Sequence, residues 1–180
     1  MKRQQGFTLI ELIVVIVILG ILSAVALPRF VNLQRDARVA SLNALRGSVE
    51  AASAMAFGIA QARAGQGAIY GCTLGVAGTG NGVATGINLQ GAAGAPCLGM
   101  TAFFPTASIG GIGTAALQGT TAGATTAADY TAKGYTFVDG GVIVTFSMTM
   151  APTPATCSFT YTQAVAGGEP AISAPVIAGC

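Results

Sequence analysis

The feature that most constrains this chain is an apolar stretch of 21 residues, Phe7–Leu27, which contains a single charged residue, Glu11. At a rise of about 1.5 Å per residue, a helix of this length spans about 30 Å, which matches the hydrocarbon core of a bilayer. Lys2 and Arg3 precede the stretch and, by the positive-inside rule, keep the N-terminus in the cytoplasm. The residues after Leu27 are therefore expected to be translocated.

Three interpretations of this N-terminus compete, and Glu11 separates them. A secretory signal peptide has an apolar core of about 7–15 residues before a small-residue cleavage site. Ala24-Val25-Ala26 fits such a site, but the apolar core is too long and contains a carboxylate. A plain membrane anchor, with Glu11 reaching the lipid headgroups, fits the length alone. A charge at the centre of a span costs about 2.5–3.5 kcal/mol and is usually functional.

The third interpretation is that the residues Gly6-Phe7-Thr8-Leu9-Ile10-Glu11 resemble the processing site of type IV pilins. The resemblance implies that a prepilin peptidase and methylase removes the leader, residues 1–6, by cutting between Gly6 and Phe7, and methylates the Phe7 amine. It also implies that Glu11 pairs with the Phe7 amine of a neighbouring subunit during assembly. Breaking an ion pair from one side in a dry helix bundle costs about 3–5 kcal/mol, which would give assembly a driving force.

Gly20 and Pro28 are two weak points in the same helix. Gly20 destabilises a helix by about 1 kcal/mol relative to alanine, and Pro28 removes one amide donor from the helix. The resemblance implies that the stretch between them melts in the assembled filament. The alternative is a simple kink at the membrane surface.

Beyond Leu27 the charges return while apolar residues keep a helical spacing of three or four. This period predicts an amphipathic helix over residues 28–63, ended by Arg63, Gly65 and Gly67. The apolar stripe consists of Val39, Leu42, Leu45, Val49, Ala52, Ala56 and Ile59. The polar residues Arg35, Arg38, Asn43, Arg46 and Glu50 lie largely off the stripe. A coiled coil is the alternative. The run from Pro28 to Arg38, with Leu45-Arg46-Gly47-Ser48-Val49, resembles pilins of the mannose-sensitive haemagglutinin (MSHA) type.

Residues 64–180 differ in composition, with 22 of the 26 glycines and only four charged residues. Residues 64–134 are rich in Gly, Thr and Ala, and we expect them to form a surface-exposed connecting loop with short strands inside it. The four cysteines, Cys72, Cys97, Cys157 and Cys180, form an even set in a translocated region, where disulfides are expected. Three connectivities exist, and the spacing favours Cys72–Cys97 and Cys157–Cys180. The second pair resembles the C-terminal disulfide loop of type IV pilins.

The clearest strand signal lies between the two cysteine pairs. Residues 135–138 and 141–149 predict a hairpin with Asp139-Gly140 as its turn, and residues 157–162 predict a third strand. Together with the long helix, these strands predict an α+β fold with an antiparallel sheet packed on the helix, which is the type IV pilin fold. The expected domains are the leader 1–6, the transmembrane and filament-core helix 7–27, the helix 28–63 and a disulfide-bonded β domain 64–180.

The composition also excludes function classes. Without histidine, no nucleophile–base–orienter set is available, so we expect no enzyme and no cofactor. Asp129 and Asp139 do not make a metal site, and no nucleic-acid partner is expected. The resemblance implies a pilus subunit that moves from the inner membrane into an extracellular fibre, which would serve attachment to surfaces and motility. Its partners would be copies of itself, the assembly machinery and a surface or host receptor. The alternatives are a pseudopilin of a type II secretion system and a membrane-anchored periplasmic domain.

Overall fold

The fold is taken from a computed structural model, which describes residues 8–62, 86–87, 97–117, 125–165 and 167–180. The helices are α1 (Leu9–Ala62), α2 (Thr114–Leu117) and α3 (Ala127–Ala132). The strands are β1 (Gly86–Ile87), β2 (Leu98–Thr101), β3 (Phe104–Pro105), β4 (Tyr135–Asp139), β5 (Ile143–Met148), β6 (Ser158–Thr162) and β7 (Ala171–Ile172). A π-helical turn covers Ile109–Gly113, and a 3-10 turn covers Pro154–Thr156. The chain divides into two compact units, Met1–Ala37 and Arg38–Cys180.

The described part of the first unit is the N-terminal portion of α1. The large apolar side chains of residues 9–27 are between 48% and 76% exposed, and within this unit no described residue covers them. The helix continues without a break through Gly20 and Pro28. By length and composition, α1 is the one helix among the described residues that could cross a membrane.

In the second unit, the predicted apolar stripe of α1 lies in the hydrophobic core. Leu42, Val49 and Ala56 are completely buried, and Val39 and Ile59 pack against the core from its margin. This burial follows from the helical spacing of the stripe, which places these side chains on one face. The stripe is therefore confirmed, and it packs against the C-terminal elements of the same unit.

The sheet opposite the stripe has four antiparallel strands in the order β4-β5-β6-β7. Val144 and Phe146 of β5 point into the core, whereas Ile143 between the turn and Val144 is exposed. Phe146 stacks on Phe159 at 5.0 Å between ring centroids and meets Phe137 edge-on at 5.3 Å. The predicted fold class, a long N-terminal helix with an antiparallel sheet, is confirmed.

The hairpin turn lies further along the chain than the sequence predicted. Asp139 is the last residue of β4 and pairs with Val144, so it is not a turn residue. The turn is centred on Gly141, whose φ of +83° suits glycine. Asp139 Oδ1 accepts a hydrogen bond from the Gly141 amide at 2.9 Å and so stabilises the turn from the strand end. Of the two neighbouring glycines, Gly140 and Gly141, the second adopts the positive φ.

The Gly/Thr-rich region also differs from the expected exposed loop. Strands β1, β2 and β3 form a second antiparallel sheet, in which Leu98 is buried. Ile112 and Tyr130 are completely buried in the main core, and the Tyr130 hydroxyl donates to the Gly113 carbonyl at 2.8 Å. Glycine therefore serves here to bring backbone close to the core. The short strands expected inside this region are present, whereas the expected exposure is wrong for its buried residues.

Two further elements were only partly predicted. Strand β6 begins one residue later than expected, at Ser158, and β7 was not predicted at all. The β7 strand has only two residues, which is too short for a sequence period to show. The expected helix stop at Arg63, Gly65 and Gly67 lies outside the described residues, and the described helix ends at Ala62.

Candidate functional site

Glu11 lies in the first turn of α1, where it completes a capping box with Thr8. The Glu11 carboxylate oxygen Oε2 accepts hydrogen bonds from the Thr8 amide at 3.0 Å and from the Thr8 hydroxyl at 2.9 Å. The Glu11 amide donates in return to Thr8 Oγ1 at 3.3 Å. This reciprocal arrangement satisfies amide groups that a helix start leaves unpaired. Sequence reasoning missed Thr8, although its spacing of three residues from Glu11 is the signature of a capping box.

The capping box occupies only one side of the Glu11 carboxylate. Both Thr8 donors use Oε2, and Oε1 accepts no hydrogen bond from the described residues. Glu11 is exposed, and its neighbours on the helix are apolar. The site therefore presents one acidic oxygen on an otherwise apolar surface. Gly6 and Phe7, the predicted processing residues, lie outside the described residues together with Lys2 and Arg3.

The C-terminal disulfide loop is the second candidate site. Cys157 and Cys180 form a disulfide with 4.8 Å between their Cα atoms, which is the pairing that the spacing favoured. Both cysteines are buried. Cys97 is also disulfide-bonded, but its predicted partner, Cys72, lies outside the described residues.

Two arginines of α1 hold the end of this loop. Arg38 Nη1 donates to the Cys180 carbonyl oxygen at 2.7 Å, and Arg46 Nε donates to the Ser173 carbonyl oxygen at 3.0 Å. Arg46 Nη2 also forms an ion pair with Glu50 Oε1 at 2.6 Å. Sequence reasoning placed both arginines off the apolar stripe but gave them no partner. No sequence signal reveals such contacts, because every residue has a backbone carbonyl.

The carboxylates that were considered for a metal site have structural roles instead. Asp129 Oδ2 accepts from the Thr126 amide at 2.6 Å and from the Thr126 hydroxyl at 2.8 Å, which caps α3. These hydrogen bonds hold the pKa of Asp129 below its ordinary value. Asp139 stabilises the hairpin turn. Across the described ranges, no three histidine, cysteine, aspartate or glutamate side chains form a group that could hold a metal ion.

Comparison with known proteins points to one family. Residues 1–27 match the family model described as the prokaryotic N-terminal methylation motif. The chain is 54% identical over 54 residues to the type IV narrow pilus major component PilA5 of Thermus thermophilus, an alignment that covers 30% of this chain and 47% of the relative. It is 43% identical over 56 residues to a fimbrial protein of Pseudomonas aeruginosa, which covers 29% and 36% of the two chains.

A third relative is the type IV major pilin protein PilA of Myxococcus xanthus, which is 56% identical over 32 residues, or 18% of this chain and 14% of the relative. The chain thus spans less than half the length of each of these relatives. No solved structure matches the chain. The relatives are pilus and fimbrial proteins, a family of structural subunits and not of enzymes. In its methylation motif, its long apolar helix and its antiparallel sheet, the chain is similar to type IV pilins.

Proposed function

We propose that this chain is the structural subunit of a type IV pilus, held first in the inner membrane by α1 and then packed into an extracellular fibre. The observation that carries the proposal is the exposed apolar surface of residues 9–27, where no large apolar side chain is less than 48% exposed. Such a surface is stable only in lipid or among copies of itself. A fibre made of many copies provides the second environment, and relatives of the chain are named as components of pili.

Processing at the N-terminus prepares the subunit for both environments. Residues 1–6 are removed between Gly6 and Phe7, and the Phe7 amine is methylated. In the membrane, Lys2 and Arg3 keep the N-terminus cytoplasmic. Once residues 1–6 are gone, the cationic Phe7 amine is available to a neighbouring subunit. These steps are supported by the match to the methylation motif over residues 1–27.

Glu11 then directs assembly. Its Oε1 oxygen is not used by the capping box, so the side chain can accept from the Phe7 amine of a neighbour while it still caps its own helix. In the apolar core of a fibre, an unpaired carboxylate is strongly unfavourable. The pairing therefore favours one axial register over all others. The stretch between Gly20 and Pro28 is where the helix gives way when subunits pack, because these residues weaken it.

Replacement of Glu11 by glutamine tests this role against the capping role. Glu11→Gln keeps a side-chain oxygen for the Thr8 donors but removes the negative charge, whereas Glu11→Val removes both. We expect both variants to insert into the membrane normally and to yield few or no filaments in the sheared fraction. A matched control is Glu50→Gln, which neutralises an exposed glutamate of the same helix that pairs with Arg46. Normal filaments from Glu11→Gln would show that Glu11 only caps the helix.

Surface attachment by an MSHA-like fibre is the finer part of the proposal. It is supported by the resemblance of the run from Pro28 to Arg38 and by the C-terminal disulfide loop. Shearing of cells distinguishes this fibre from a pseudopilin. A pilin is released with surface filaments, whereas a pseudopilin stays with the membrane and periplasmic fractions. Loss of cell attachment in a filament-less Glu11→Val strain would support the adhesive role.

A further inference from the structure

One end of the four-stranded sheet carries exposed apolar side chains. This end contains the β4–β5 turn and the connection from β6 to β7, because the four strands are antiparallel. The backbone amide of Gln163 donates to the Val142 carbonyl at 3.0 Å, and this hydrogen bond joins the turn to the end of β6. Four large apolar side chains here are between 46% and 70% exposed: Val138, Val142, Ile143 and Val165.

Two carboxylates accompany these apolar side chains. Asp139 is the last residue of β4. Glu169 lies two residues before β7, and β7 begins beside Thr162, the last residue of β6. Both carboxylates therefore lie at this end of the sheet. Both are exposed. Lys133 precedes β4 and therefore lies at the opposite end of the sheet. We call the surface formed by Val138, Asp139, Val142, Ile143, Val165 and Glu169 the turn-end patch; it is apolar and acidic, and contains no cation.

The chain also carries a surface of complementary character on α1. Phe30 and Leu33 are 62% and 61% exposed, although large apolar side chains are usually covered. Arg29 and Arg35 beside them have no hydrogen bond or ion pair with any described residue. We call Arg29–Asp36 the basic segment. With Asp36 included it keeps an excess of one positive charge.

We propose that the turn-end patch of one copy binds the basic segment of a neighbouring copy. This inference rests on the proposed function, which places many copies in one fibre. Contact would cover exposed apolar side chains on both surfaces, and the arginines at the rim would meet Asp139 and Glu169. Two turn-end patches cannot bind each other in the same way, because their carboxylates would repel. The contact therefore joins two different surfaces, and such contacts propagate into open helical filaments where the rotation does not close a ring.

A charge exchange tests the contact. Asp139→Lys with Glu169→Lys reverses the patch, and Arg29→Glu with Arg35→Glu reverses the segment. Each reversed pair is expected to lower the yield of sheared filaments about tenfold or more relative to the membrane-bound protein, which corresponds to about 1.4 kcal/mol. The chain with all four substitutions is expected to recover most of the wild-type yield, because opposite charges face each other again.

Two controls separate this result from misfolding. Asp139→Asn with Glu169→Gln removes the charge but keeps an oxygen for the Gly141 amide, and an intermediate yield is expected. Lys133→Glu reverses an exposed charge at the other end of the sheet and should leave the yield unchanged. Formation of the Cys157–Cys180 disulfide, read on a non-reducing gel, reports folding of every variant.

The outcomes separate this contact from the fibre itself. The contact would be overturned if both reversed pairs gave the wild-type filament yield. It would also be overturned if the chain with all four substitutions gave no higher yield than either pair alone. Neither result would affect the proposed function. Normal filaments that no longer attach to surfaces after reversal of the patch would assign the patch to a receptor and also overturn the contact. Absence of filaments from the wild-type chain would instead refute the proposed function.

Discussion

Replacement of Tyr161 by phenylalanine tests how the two sheets are joined. Tyr161 lies on β6 and is completely buried, and its hydroxyl donates to the Pro105 carbonyl on β3 at 2.6 Å. Tyr161→Phe keeps the ring but leaves that buried carbonyl without its donor. A buried polar group left unpaired costs about 1–3 kcal/mol, so we expect the free energy of unfolding at pH 7 to fall by this amount.

The same substitution changes the response to alkali. Burial raises the pKa of Tyr161 to about 12, whereas an unfolded tyrosine titrates near pH 10. Between these values the unfolded chain binds fewer protons than the folded chain, so stability falls as pH rises. The contribution is therefore fully present below about pH 10 and is lost as pH approaches 12. Tyr161→Phe should make this alkaline loss shallower. Burial raises the pKa of Tyr130 as well, so part of the loss remains.

The measurement is urea unfolding of the full chain in detergent, followed by near-ultraviolet circular dichroism of tyrosine at neutral and alkaline pH. Tyr135→Phe is the matched control, because Tyr135 is half-buried and its hydroxyl donates to the Ser41 carbonyl at a longer 3.3 Å. We expect a smaller loss for the control. If Tyr161→Phe and wild type had equal stability at neutral pH and equal alkaline loss, the hydrogen-bond argument would be refuted.

Three further predictions concern local structure. Cys157→Ser with Cys180→Ser should lower the free energy of unfolding of the second unit by about 3 kcal/mol, because the disulfide closes a loop between residues 23 apart. Urea unfolding measures this, and a change near zero would contradict it. Ala102→Asn should raise the melting temperature, because Ala102 has a φ of +51° that asparagine tolerates better; a lower melting temperature would show that the turn is not strained. Asp129 has a lowered pKa in the folded chain, so its stabilising contribution is present above the unfolded pKa and disappears as pH falls through the folded pKa. In Asp129→Ala the free energy of unfolding should therefore fall less steeply as pH is lowered into the acid range. An unchanged pH dependence would refute the capping role of Asp129.

The sequence predicted those parts of the fold that depend on periodic patterns. Leu42, Val49 and Ala56 recur at helical spacing, and Phe146 falls on the inward side of an alternating strand. These positions are buried because a helix and a strand each turn residues toward one face at a fixed period. The predicted Cys157 pairing followed from sequence spacing and is present in the structure.

Other features had no signal of this kind. Arg38 and Tyr161 bind backbone carbonyls of Cys180 and Pro105, and such partners cannot be recognised from residue types. The observed turn after Asp139 differs from the predicted one because Gly140 and Gly141 both suit a turn, and only the pairing of β4 with β5 selects between them. Ile112 is buried, although its glycine-rich surroundings suggested an exposed loop. A glycine-rich sequence can still bring its backbone close to the core, and composition does not reveal this.

The site at the helix start was predicted in part. Glu11 stood out because a lone carboxylate in an apolar span is costly. Thr8 was overlooked, although the spacing of Thr8 and Glu11 matches the capping box that the structure contains. The processing residues Gly6 and Phe7 remain predictions, supported by the methylation motif.

The central claim is that the mature chain begins at Phe7 and is assembled into surface fibres. Filaments sheared from cells and analysed by intact-mass and peptide mass spectrometry test it most directly. The account predicts a subunit that begins at Phe7, with one methyl group on the Phe7 amine and with Cys157 bonded to Cys180. A chain that retains residues 1–6 and occurs only in the membrane fraction would contradict it.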